Sequence, residues 1–244
     1  MKKIIFFKSL RITTVILTMG MLTFGSCGNG NDDEKPIIPS GPLEVTISGN
    51  ISHTTHTPDQ SGTVTLTRFP ATVNEFKQVR EQIGGEPHGA VALQIMAFEM
   101  YRRNKKIGEE CIRLNSLSNT VTSSLARLNE LFGKDANYAR PYQMAAHLKG
   151  ATPENGYNPT KPYTIEVKVN NGKPYQHSDI YQTEVLYLRV ITNGRDSGTN
   201  GIDVLKTYDP NQSSEGKYFI IFACSDLYSQ VKAISFTTTF NGLD

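Results

Sequence analysis

Hydrophobic and polar positions follow three successive regimes along the chain. Leu43, Val45 and Ile47 alternate with polar residues, as do Val64 and Leu66, and a period of two marks a pair of strands. The polar stretch from Gly49 to Gly62 is the loop between them. The period then lengthens to that of a helix. Thr72 to Ile83 predicts a short helix closed by Gly84-Gly85. Ala90 to Met100 is apolar almost all the way round, which predicts a buried helix too short to cross a bilayer. Ile107, Cys111 and Leu114 keep helical spacing, and so do Val121, Leu125, Leu128 and Phe132, with Gly133 in the C-cap position. A last short helix is expected from Pro141 to Gly150.

From Pro162 the period returns to two. Tyr163, Ile165, Val167 and Val169 alternate with Thr164, Glu166 and Lys168, as a half-buried strand does. Val185 to Ile191 is nearly continuous apolar and predicts a central strand. Asp203 to Thr207, Tyr218 to Cys224 and Ile234 to Phe240 complete the expected set. The pattern is α+β: an N-terminal strand pair, a helical block at about 72–149, then an antiparallel sheet at about 163–240. Residues 43–244 are expected to form a single domain, since no second linker interrupts them.

Charge narrows the partners. The 25 Lys and Arg against 23 Asp and Glu give +2, and four of those cations (Lys2, Lys3, Lys8 and Arg11) lie in the first 26 residues. A near-neutral remainder with no basic stripe argues against nucleic acid.

The N-terminus reads as an address. A basic stretch to Lys8, an apolar run from Ile12 to Phe24, and small residues before a cysteine describe a signal peptide over 1–26. Phe24-Gly25-Ser26-Cys27 resembles the lipobox of bacterial lipoproteins, with Phe24 where leucine is usual; the resemblance implies acylation of the Cys27 sulfur and a membrane anchor at that residue. Residues 27–42, acidic and proline-punctuated, are the expected flexible linker. Their Asn31-Asp32-Asp33-Glu34-Lys35 cluster resembles the export signal of Bacteroidota surface lipoproteins, the alternative being a solvated linker that is acidic. The implied location is the cell envelope, lipid-anchored at the outer membrane. An envelope location permits a disulfide between Cys111 and Cys224, yet both lie on apolar faces, which favours two buried thiols.

A second resemblance covers the body of the chain. Phe69-Pro70-Ala71 with Glu75-Phe76, then Gly150-Ala151-Thr152-Pro153-Glu154-Asn155-Gly156-Tyr157-Asn158-Pro159, then Lys161-Pro162-Tyr163-Thr164-Ile165, resemble an uncharacterised bacterial domain family found in lipoproteins and secreted proteins. The resemblance runs from Phe69 to about Thr207, and Tyr218 stands where that pattern carries tryptophan. It implies a fold and no mechanism.

Motifs for chemistry are sparse. The chain has no Gly-x-Ser-x-Gly elbow, no Walker loop and no His-Glu-x-x-His, so no catalytic residue, metal site or cofactor is assigned. His53 and His56 are the one close histidine pair, read as a polar loop; His88 is read as a capping or packing residue. Asp196 to Asp203 echoes a calcium loop but lacks a glutamate at its twelfth position, and reads as a hairpin turn. Glu154, Asp179, Glu184 and Asp226 are the acids available to an envelope hydrolase of glycans or peptides, the alternative function.

Tyrosine is unevenly placed, with ten of eleven between Tyr138 and Tyr228; Tyr157, Tyr175 and Tyr208 fall in expected loops. Pro153, Pro159 and Pro162 stiffen the 150–162 connection, and a stiff loop loses little entropy on capturing a partner. The leading expectation is therefore a non-catalytic binding module for a protein or glycan, with Glu154, Asn155, Tyr157 and Lys161 as contact residues. The competing expectation is that these prolines only steer the chain into the sheet, with Tyr157 packed on the core.

Overall fold

A computed structural model describes residues 41–135, 138–208 and 215–243. Cys27, the expected signal peptide and nearly all of the expected linker lie outside them. The strand pair is β1 (Val45–Gly49) and β2 (Ser61–Leu66), joined in register from Val45 opposite Leu66 to Gly49 opposite Gly62. Four helices follow: α1 (Val73–Ile83), α2 (Pro87–Arg103), α3 (Lys105–Asn115) and α4 (Ser118–Leu131). Five further strands complete one sheet: β3 (Tyr163–Val169), β4 (Gln176–Ser178), β5 (Thr183–Ile191), β6 (Thr199–Tyr208) and β7 (Glu215–Ala223). The order is β1-β2-β3-β5-β6-β7 with every neighbour antiparallel, and β4 continues the line of β3 along the same side of β5. The fold is α+β, as the pattern of periods predicts.

Local chemistry sets the helix ends. The Thr72 hydroxyl accepts from the Glu75 N–H at 3.2 Å and opens α1. Glu75 itself is clamped by Arg68, at 2.7 and 3.0 Å, and by the Ala71 N–H at 2.8 Å. Burial would raise the Glu75 carboxyl, but these donors outweigh it and hold the pKa below its ordinary value. The Arg68–Glu75 pair is therefore a buried ionic staple at the helix entrance. α2 is buried from Pro87 to Tyr101, as its all-round apolar sequence requires. Among the described residues no helix is long and apolar enough to cross a membrane.

One core joins the layers. Leu93, Met96, Phe98, Cys111 and Leu128 from the helices cluster with Val64, Ile165, Leu188, Ile202 and Ile221 from the sheet. A smaller cluster of Val185, Tyr187 and Leu205 lies apart, with Tyr181, Ile220 and Phe222 packed against it. Cys111 and Cys224 are buried free thiols.

Three local expectations need correction. Residues 141–150 form turns with a 3-10 segment only at Ala145–His147, not a continuous short helix. Ile234 to Phe240 is not a strand. A turn at Ser235–Thr238 interrupts it, and the edge of β7 is already bonded to the helical block through Gly84 O, the Leu117 N–H and the Thr120 hydroxyl. Tyr208 ends β6 instead of lying in a loop.

Candidate interaction surface

The 150–162 connection folds as a sequence of caps. Thr152 and Asn155 bond reciprocally: the Thr152 hydroxyl accepts from the Asn155 N–H at 3.3 Å, and Asn155 Oδ1 accepts from the Thr152 N–H at 2.9 Å. Pro153 occupies the first turn of the resulting 3-10 segment, Pro153–Asn155. Asn155 also donates to Gly150 O at 2.8 Å. Its amide is thus committed to holding the loop, although the residue is exposed.

The chain then reverses through two left-handed residues, Gly156 at φ 66° and Tyr157 at φ 54°. Gly156 has no alternative, since a Cβ there would lie 2.5 Å from Thr239 O. Tyr157 pays the strain of an aromatic residue at positive φ. Three interactions hold it: its N–H donates to Thr152 O at 2.8 Å, its ring stacks on Tyr142 at 5.1 Å between centroids, and its hydroxyl donates to Lys232 O at 3.1 Å. The ring is fully buried, and burial pushes the phenol well above its ordinary pKa. Tyr157 is therefore a packing residue and offers no surface to a partner. Tyr175 is half-buried against the edge of the His56 ring, at 5.1 Å.

What covers this loop is the C-terminal segment 231–243. Pro153 O accepts from the Ser235 N–H at 3.0 Å and from the Thr238 hydroxyl at 3.4 Å. Asn158 donates to Thr239 O at 2.7 Å and accepts from the Asn241 N–H at 2.9 Å. Phe240 meets the Tyr142 ring edge-on, Leu243 is buried, and Arg103 donates to its carbonyl. The turn at Ser235–Thr238 leaves the Phe236 ring fully exposed, and Glu154, next to Pro153 on the 3-10 segment, is exposed as well. Lys161 is exposed at the end of the loop, its ammonium 5.5 Å from the Tyr163 ring centroid. The structure thus leaves Glu154, Asn155 and Lys161 at the surface, withdraws Tyr157, and adds Phe236 from a segment read as strand.

The titratable groups elsewhere are built into the scaffold. Burial pushes both thiols up to about 12, far from a reactive thiolate. Burial holds His88 and His147 down at about 4. His88 lies in the first turn of α2 with its ring against Gly62. His53 packs on the Phe219 ring, while His56 bonds Asn170 O at 3.1 Å. Among the described residues no cluster of three or more His, Cys, Asp or Glu is arranged to hold a metal. Asp179 and Glu184 flank His177 at 3.9 and 3.0 Å on the β4–β5 hairpin, and Asp226 accepts from the Gly201 N–H at 2.9 Å. With Glu154 on the capped loop, the acids available to a hydrolase are spread over three separate elements. Asp196 lies in the β5–β6 turn, paired with Lys232.

Four helices on one antiparallel sheet, with a capped loop and a C-terminal strap over one end, define an α+β domain whose exposed features are those of a surface. The chain belongs to the family described as Domain of unknown function (DUF6935), matched over residues 68–235. That span starts at the Arg68–Glu75 staple and ends at Ser235, where the strap meets Pro153. No curated protein and no solved structure matches the chain.

Proposed function

We propose that this is a non-catalytic interaction module, lipid-anchored at Cys27 to the outer membrane of a bacterial envelope, whose contact face comprises Glu154, Asn155, Lys161 and Phe236 and meets a protein partner. One observation carries the reading: a phenylalanine fully exposed on a turn that is hydrogen-bonded to Pro153 O, the residue before the exposed Glu154. An aromatic side chain on a stiff mount, ringed by polar groups, is the usual anchor of a protein interface. The mount is stiff because Asn155, Asn158 and Pro153 tie loop and strap together. A rigid face loses little entropy when it binds. The lipobox resemblance at Phe24–Cys27 supports the anchor, and the linker after Cys27 supplies the reach.

The double variant Glu154→Ala, Phe236→Ala tests the face. Both side chains are exposed, so stability should change by no more than about 0.5 kcal/mol in a urea melt. Retention of a saturable partner from solubilised envelope, measured against wild type, should fall at least tenfold. Unchanged retention overturns the reading, and retention of envelope glycan instead of protein reassigns the partner class.

A further inference from the structure

We propose that His147 is an acid-sensitive latch: when its imidazole takes up a proton, the C-terminal strap that carries Phe236 is released from the domain. The latch deepens the contact-face reading and rests on it for its functional consequence.

The geometry makes the segment around His147 a node for the strap. Gln143 Nε2 donates to Leu227 O and Ser229 O at 2.9 and 2.7 Å, and Gln143 Oε1 accepts from the Val231 N–H at 3.2 Å. The Thr192 hydroxyl donates to Ala146 O at 2.7 Å, bringing in the β5–β6 turn, whose Gly194 O accepts from the Lys232 N–H at 2.9 Å. There is no slack at this junction, since a Cβ on Gly194 would lie 2.7 Å from Val231 and 3.0 Å from Ala146. At its centre His147 and Asn200 are both buried, joined by a 2.8 Å contact between Asn200 Nδ2 and His147 Nε2. In that bond the amide donates, so Nε2 is the unprotonated nitrogen.

A proton on Nε2 sets two donors face to face. Turning the Asn200 amide over re-forms a bond but leaves an imidazolium buried away from water, where a lone charge is costly. Neighbouring charges do not compensate it. Asp196 is held by Lys232 at 2.5 Å and Lys149 by Glu166 at 2.6 Å. Asp203 lies 3.9 Å from Lys173, and Asp226 is bonded to the Gly201 N–H. The charge that acts on His147 is that of Arg195, which repels a second cation. Burial, with Arg195 adding to it, outweighs the backbone hydrogen bonds at Met144 and Gln143 that favour the charged ring, and holds the histidine down at about 4.

The sign follows directly. With the imidazole at an ordinary pKa in the open state and a lowered one in the closed state, opening takes up a proton and becomes easier as pH falls below about 6.5. The strap is the element that gives way, because it has no strand pairing: besides the node and the 153–158 caps it is held only by single contacts, Arg103 on the Leu243 carbonyl and Phe240 against Tyr142 among them.

Amide hydrogen exchange on the whole protein at pH 7 and about pH 5, corrected for the intrinsic exchange rate, reads the latch directly. At the lower pH, opening of residues 231–243 should rise roughly twenty- to thirtyfold while β3 and β5 keep their protection. In His147→Gln, whose amide oxygen can accept from Asn200 without titrating, the acid response of the strap should vanish. Unchanged strap protection at the lower pH, simultaneous loss of strap and sheet, or a full response in the variant each overturns the proposal. If His147→Gln does not fold, imidazole NMR of the wild type decides. Proton uptake by His147 must share the midpoint of strap opening, and a histidine still neutral while the strap opens overturns the latch. No partner is present in these measurements, so they stand or fall separately from the contact face.

Discussion

Replacing Tyr157 separates scaffold from contact surface. Its ring is fully buried, stacks on Tyr142 with 15° between planes, and sends its hydroxyl to a backbone carbonyl at 3.1 Å. Tyr157→Phe removes only the hydroxyl and should cost about 1 kcal/mol. Tyr157→Ala removes the ring from a closed site and should cost about 3–5 kcal/mol, the range for emptying a buried aromatic position. A third variant uses the backbone. Because φ is 54°, alanine keeps a left-handed strain that glycine does not. Tyr157→Gly should therefore be at least as stable as Tyr157→Ala, reversing the order expected at an ordinary position. Urea unfolding of the set, with unchanged slopes, gives the comparison. A cost below about 1 kcal/mol for Tyr157→Ala would refute the packing argument, and so would glycine clearly worse than alanine.

Two other perturbations test the scaffold and the proposed anchor. A Cβ on Gly62 would lie 2.4 Å from the buried His88 ring, so Gly62→Ala should cost about 2–3 kcal/mol in a thermal melt. The double variant with His88→Ala should be less destabilised than the sum of the singles, since it removes the clash, and strict additivity would count against the contact. Cys27→Ala should move the protein from the membrane fraction to the soluble fraction and abolish acyl labelling, whereas unchanged fractionation would argue against the anchor.

How far the sequence could be read depended on whether a feature is local. The nearly all-round apolar run from Ala90 to Met100 announces α2 because no other environment tolerates it. The continuous run Val185–Ile191 announces a strand flanked on both sides, and β5 indeed lies between β3 and β6. The cap at Thr152-Pro153-Glu154-Asn155 has the spacing that opens helical turns, yet the expectation of a stiff loop rests on the prolines alone, and the cap reassigns the Asn155 amide to the loop itself. Ile234–Phe240 shows the limit. Its alternation is that of a strand, but pairing needs a vacant edge, and whether β7 has one depends on contacts more than 100 residues away in sequence, such as Thr120 with Phe222. Tyr157 marks a related limit. The sequence leaves it either a contact residue or a residue packed on the core, and the second reading holds because the C-terminal strap closes over it, which nothing local announces. Phe236 was hidden by the same strap, since its exposure is a property of the turn at Ser235–Thr238 and not of the alternation around it.

The most direct test of the central claim is site-specific photocrosslinking in intact cells. A photoreactive amino acid at position 236 is compared with one at the exposed Lys106 on α3. The contact face predicts a protein adduct of discrete mass from position 236, weakened when Glu154 is changed to Lys, and none from position 106. Identical adducts from both positions, or none from 236, would contradict it.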